Sequence, residues 1–157
     1  MSNTRRVHGF TLVELMIVVV ILATLAAMAI PTFKDMTADS RRTAFASELR
    51  ILAEAANRYE VLNDQHLPDT SSGVWPSELA GSIKQNQFES ETPLGGVWDM
   101  EIGSFGISAA IGAHFNGGTT PSNEDLVAVD TLMDDGDLTT GTVRALAADR
   151  LYYVLEE

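Results

Sequence analysis

The sequence contains no cysteine. That excludes a disulfide frame, a thiolate metal site and a cysteine nucleophile. It leaves the compartment open, because an exported chain can do without cysteine. Basic residues are also scarce, with ten Lys and Arg against 22 Asp and Glu and a formal net charge of −12. No cluster of Lys and Arg exists of the kind a nucleic-acid surface needs. The acidity reads as a soluble, self-repelling exterior. His66 and His114 are isolated, and neither HExxH nor any paired-His spacing occurs. Gly106-Ile107-Ser108-Ala109-Ala110 lacks the second glycine of a nucleophile elbow. No glycine-rich phosphate loop or internal repeat is visible. Catalysis therefore has no constellation to rest on, and Trp75 and Trp98 read as core or contact anchors.

What the chain does have is a long apolar run. From Phe10 to Ile30 there are 21 residues, and Glu14 is the only charge among them. As a helix this segment is about 31 Å long, close to the hydrocarbon thickness of a bilayer. A lone carboxylate inside a span costs about 2.5–3.5 kcal/mol on insertion scales, so Glu14 calls for a partner or a task. A basic start with Arg5 and Arg6 followed by an apolar run is also how a secretory signal begins, and Ala27-Met28-Ala29 offers an A-x-A cleavage site. Glu14 inside the supposed signal core and the length of the run argue against that reading. Flanking charge does not settle orientation, because Arg5 and Arg6 precede the span while Lys34, Arg41 and Arg42 follow it.

Gly9-Phe10-Thr11-Leu12-Val13-Glu14-Leu15, behind a short basic leader and ahead of an apolar span, resembles the prepilin signal of type IV pilins and type II secretion pseudopilins. The resemblance covers about the first 31 residues. It implies cleavage by a prepilin peptidase between Gly9 and Phe10 and N-methylation of Phe10. It also implies Glu14 as the family's buried glutamate and Pro31 as its helix proline. His8 departs from the pattern, standing where the family more often has Lys or Arg. Physical chemistry agrees: removing the leader exposes an ammonium at Phe10, and Glu14, one turn along, can reach its own N-terminus or a neighbouring subunit's.

Beyond Pro31 the helical pattern continues to about Asn63, with a bend or local opening expected near Ala27–Pro31. Phe45, Leu49, Leu52, Ala56 and Tyr59 recur at spacings of four, three, four and three, one apolar stripe for packing on a sheet. Breakers follow at Pro68, Ser71, Ser72, Gly73 and Pro76, with a short helical turn at Pro76–Ala80. Strands are expected at Val97–Ile102 and Phe105–Phe115, joined at Gly103-Ser104 and closed by Asn116-Gly117-Gly118. In the first of them Asp99 and Glu101 should face water. Ser122 caps a helix containing Leu126, Val127, Val129, Leu132 and Met133. Two last strands, Thr142–Leu146 and Leu151–Glu156, flank a turn at Ala147–Arg150. The expected fold class is α+β: a long N-terminal helix packed on a small antiparallel sheet of about four strands, with one additional helix. That layout resembles a pilin head. The segments are a leader (1–9), a transmembrane and filament-core helix (10–30), a helix extension (31–63) and a soluble head (64–157).

Asp134-Asp135-Gly136-Asp137 is the densest acidic cluster. It falls at a helix C-terminus, where the macrodipole disfavours negative charge and a bound Ca²⁺ would offset it. The spacing is not that of an EF-hand loop. Asp134, Asp135 and Asp137 are therefore either Ca²⁺ ligands or a solvated acidic loop.

The reading is a filament subunit: a single-pass bacterial inner-membrane protein with its head exported, assembled with itself or related subunits through its N-terminal helix, and no enzyme. The resemblance implies an inner-membrane platform protein and an ATPase as assembly partners. A secretion pseudopilus and an extended pilus both fit. The alternatives are a minor pilin with an adhesive head and a membrane-anchored enzyme.

Overall fold

The computed structural model describes residues 9–116 and 120–157. The leader residues 1–8 and the expected Gly117-Gly118 terminator lie outside them. The chain divides into two compact units, Met1–Thr37 and Ala38–Glu157.

Helix α1 runs from Leu12 to Asn63. In the first unit every described side chain from Phe10 to Ile30 is exposed, so a continuous apolar surface has no cover among the described residues. Pro31 lies inside α1, and the helical assignment continues through it. A proline removes one amide donor but need not terminate a helix whose neighbouring turns still bond. Thr32 donates its hydroxyl to the Met28 carbonyl at 3.3 Å in this stretch. The helix ends where expected. Asp64 adopts a left-handed φ of 53°, its amide donates to the Glu60 carbonyl at 2.7 Å, and the Asn63 side chain donates to the Tyr59 carbonyl.

In the second unit the later part of α1 lays its stripe on the sheet. Phe45, Leu49, Leu52 and Ala56 are buried in one cluster with Trp98, Met100, Ile111 and Leu151, and Tyr59 is half-buried against it. The Phe45 ring lies 5.1 Å from Trp98 and 6.3 Å from Phe115, centroid to centroid. The sheet has four antiparallel strands in the order β1-β2-β4-β3, where β1 is Val97–Ile102, β2 Ala109–His114, β3 Val143–Ala147 and β4 Arg150–Glu156. Both sheet edges are met by loops: the Gly73 amide donates to the Trp98 carbonyl of β1, and the Ala145 amide of β3 donates to the Leu138 carbonyl.

Two expectations need correction. The second strand starts at Ala109, not Phe105, because the chain turns over residues 103–108. Gly103 and Gly106 sit at positive φ, and Phe105 joins them at 54°, which no strand residue can adopt. Asp99 does not face water either: it is buried, because the far face of the sheet carries its own small cluster of Ile107, Ala110, Tyr152 and Val154. Sequence patterning also misses a one-turn helix, α2 (Gln85–Phe88), whose polar residues carry no periodic stripe. The turn at Ser77–Leu79 and helix α3 (Asn123–Met133) fall where expected. Ser122 and Asp125 form a reciprocal capping box at the start of α3. Arg42 of α1 reaches the same Asp125 at 2.8 Å. The Ser122 hydroxyl, followed by Arg42, holds the Asp125 carboxyl below the usual carboxylate range.

Phe45 is fully buried between Trp98 and Phe115. Phe45→Ala should cost about 3–5 kcal/mol of stability, read as a lowered midpoint in thermal melts of the detergent-solubilised protein.

Candidate functional site

The N-terminal site is built by the first turn of α1. Thr11 stands just before the helix, and its backbone amide and hydroxyl both donate to Glu14 Oε2 at 2.8 Å. The Glu14 amide in turn lies 3.3 Å from the Thr11 hydroxyl. This is a capping box: the carboxylate satisfies an amide that the helix leaves orphaned, and it sits at the positive end of the helix dipole. Composition singles out Glu14 for its cost in an apolar run, but the partner that Thr11 supplies is a local one, two residues after Gly9. The T-x-x-E spacing was the signal for it. Gly9 and Phe10 are exposed immediately ahead of this turn. Pro31 is five turns away along α1 and takes no part in the capping.

The acidic cluster resolves into two groups. Carboxylate oxygens of Asp130, Asp134 and Asp135 lie within 4.8 Å of one another. Asp137 is not among them: it turns back to accept from the Thr139 amide at 3.0 Å and the Thr139 hydroxyl at 2.7 Å. Asp134 accepts from the amides of Thr142 and Val143, which ties the end of α3 to the start of β3. Gly141 makes that close approach possible, since it has a φ of +71° and a Cβ there would collide with Asp134 Oδ2. Asp130, a helix residue that attracted no notice in the sequence, is fully buried. Burial, followed by the charges of Asp135 and Asp134, pushes its carboxyl up to about 6.

Two further polar groupings appear in the head. Ser72 Oγ lies 2.9 Å from His114 Nδ1, and His114 Nε2 lies 3.1 Å from Asp149 Oδ2. The order serine, histidine, aspartate is that of a nucleophilic relay. The amides beside the serine are already spent, however: Gly73 donates to Trp98 and Val74 to Ser71. Neither is free to stabilise an oxyanion, so the arrangement pins the 70–74 loop to β2. On the far face of the sheet the Tyr152 hydroxyl donates to Asp99 at 2.6 Å, and Arg150 binds Asp99 at 3.1 Å and also Glu101. This network satisfies the buried Asp99; burial, followed by the Asp99 carboxylate, pushes the Tyr152 hydroxyl up.

A helix with the length and apolarity to cross a membrane, followed by a small antiparallel sheet packed on its later part, is a pilin-like α+β architecture. The family model described as the prokaryotic N-terminal methylation motif matches residues 4–30, so the N-terminal segment carries the prepilin-type signal. The chain is 34% identical over 110 residues to a type IV major pilin of Neisseria gonorrhoeae, covering 66% of this chain and 47% of that one. It is 54% identical over 48 residues to a fimbrial protein of Pseudomonas aeruginosa, covering 31% of each chain. The type II secretion system core protein G of Pseudomonas aeruginosa is 34% identical over 70 residues, covering 45% of this chain and 49% of that one. The chain thus spans about half the length, or less, of these curated relatives. No solved structure matches.

The capping role of Thr11 is open to a local test. Thr11→Val should cost the helix start about 1 kcal/mol, seen as faster amide exchange at Leu12–Leu15 in micelles with little change further along α1.

Proposed function

We propose that this chain is a structural subunit of a filament of the type IV pilus or type II secretion pseudopilus kind. It is cleaved after Gly9 by a prepilin peptidase, methylated at Phe10 and assembled through residues 10–30. The observation that carries the reading is the apolar surface from Phe10 to Ile30, exposed along its whole length, with Glu14 its only charge. Such a surface is stable in lipid, and equally stable against copies of itself. The chain resides in the bacterial inner membrane before assembly, head outward, and an inner-membrane platform with its ATPase drives extraction. It catalyses no reaction itself, in keeping with relatives named as pilins.

Within the filament, Glu14 neutralises the ammonium that cleavage creates at Phe10. A pair between subunits fixes axial register, because two costly charges are relieved only when neighbours are correctly offset. Charge and capping are separable here. Glu14→Gln keeps an oxygen for the Thr11 amide and loses the charge, whereas Thr11→Val keeps the charge and loses part of the cap.

The mature N-terminus, read by mass spectrometry, should be methyl-Phe10. A start at Ile30 would return the segment to an ordinary signal peptide. Cysteine placed at Ala23 or Ala26 should give a ladder of crosslinked multimers in cells, and monomers alone would favour an anchored adhesive head. Glu14→Gln should reduce assembly by an order of magnitude or more while Thr11→Val assembles, and equal assembly of both would remove the register role.

A further inference from the structure

We propose that His66 is a proton-dependent clamp between the end of α1 and the end of β4. With both ring nitrogens protonated it ties Glu60 of the helix to Glu156 of the sheet, and with one proton lost the tie to the helix opens.

The geometry sets one imidazole between two carboxylates. His66 Nε2 lies 2.8 Å from Glu156 Oε2, and His66 Nδ1 lies 3.5 Å from Glu60 Oε2. Leu67, next in the chain, is buried in the core and anchors the loop that carries the ring. A neutral imidazole has one N–H and one bare nitrogen. When that N–H is spent on Glu156, Nδ1 becomes an acceptor facing another acceptor. Nδ1 is shut off from solvent and has no hydrogen-bond partner among the described residues. Buried polar atoms are ordinarily satisfied, so this nitrogen calls for a proton of its own. The doubly protonated ring supplies it, and a closure of about half an ångström brings Glu60 into hydrogen-bond range.

His114 shows what is particular to His66. Its Nδ1 lies 2.9 Å from the Ser72 hydroxyl and its Nε2 3.1 Å from Asp149. A hydroxyl donates or accepts as the ring requires, so that histidine is satisfied with one proton or with two. His66 has only acceptors on its two sides, and a single protonation state satisfies it.

Nothing else at this corner neutralises the two acids. Among the described residues neither Glu60 nor Glu156 has a Lys or Arg in salt-bridge range, and the neighbouring Glu157 is held by Arg144. The last turn of α1 carries no basic residue, although a helix C-terminus is where a cation is best placed. Asp64, in the turn between α1 and His66, is exposed. The ionisable groups set against the ring are therefore Glu60 from the helix and Glu156 from the sheet. Opening the clamp releases the last turn of α1, with its exposed Val61 and Leu62, from β4. Histidine changes charge between about pH 5 and 8, so the device responds to mild acidification. Because only the proton-bound ring makes both bonds, the tie is present on the acid side and lost as pH rises. This inference does not depend on the filament reading.

The test is thermal melting of the full chain in detergent micelles at pH 6 and pH 8, for the parent, His66→Gln and Glu60→Gln. At pH 6 the parent should melt about 4 °C above His66→Gln, and at pH 8 the two should agree to within about 1 °C. Glu60→Gln is the sharper variant, because a carboxamide can donate to the bare Nδ1. It should melt at or above the parent at pH 8 and show less than half of the parent's advantage over His66→Gln at pH 6. Asp130, whose carboxyl is pushed up to about 6, is common to all three chains and cancels in these differences. An equal gap between parent and His66→Gln at both pH values would overturn the proposal. So would a Glu60→Gln chain that keeps the parent's full pH dependence.

Discussion

The packing of Phe45, Leu49, Leu52 and Ala56 against Trp98, Met100 and Ile111 is the interaction on which the head depends, because it joins the end of a helix to a sheet too small to stand alone. Four short strands bury one face only if something covers it, and α1 is what covers it. The cover is specific: Phe45 is held between Trp98 and Phe115. Arg42, one turn earlier, reaches Asp125, which simultaneously caps α3. Helix, sheet and second helix are thus fastened within a few residues of each other, without a disulfide or any other covalent tie.

The first turn of α1 presents the same economy in polar form. Glu14 looks like a liability while it is counted as a charge in lipid, yet it already accepts two hydrogen bonds from Thr11. That arrangement lowers the cost of carrying the carboxylate in an apolar run. On the proposed cleavage after Gly9, the new positive charge would appear one residue before Thr11, beside an acceptor that the helix has already oriented. On that reading, local capping and the proposed pairing between subunits would be successive uses of one side chain rather than rivals.

Much of this was legible in the sequence. The apolar run, the stripe from Phe45 to Tyr59 and the Ser122 cap are all set by spacing along a single element, which is what sequence shows best. What stayed hidden depends on residues far apart. The burial of Asp99 requires Tyr152 and Arg150, some fifty positions away, and alternation alone counted it as wet. The Ser72–His114–Asp149 grouping joins a loop, a strand and a turn. Asp130 sits in an ordinary helical pattern, and only the fold reveals that its side chain points inward without a partner. The strand start at Ala109 was misplaced because Phe105 and Ile107 suit a strand by type, whereas the left-handed backbone at Phe105 follows from the turn that encloses it.

The loops that close the two sheet edges bear on how such heads live side by side. An open edge invites a strand from the next molecule, a hazard that grows with local concentration. Here the carbonyl of Trp98 is taken by Gly73 and the amide of Ala145 by Leu138, and the pairing of β3 is itself interrupted between Ala145 and Ala147. Many copies held in a row would therefore meet through side chains and loops instead of extending one sheet into another. Their order would be that of reversible neighbours and not of a cross-β aggregate.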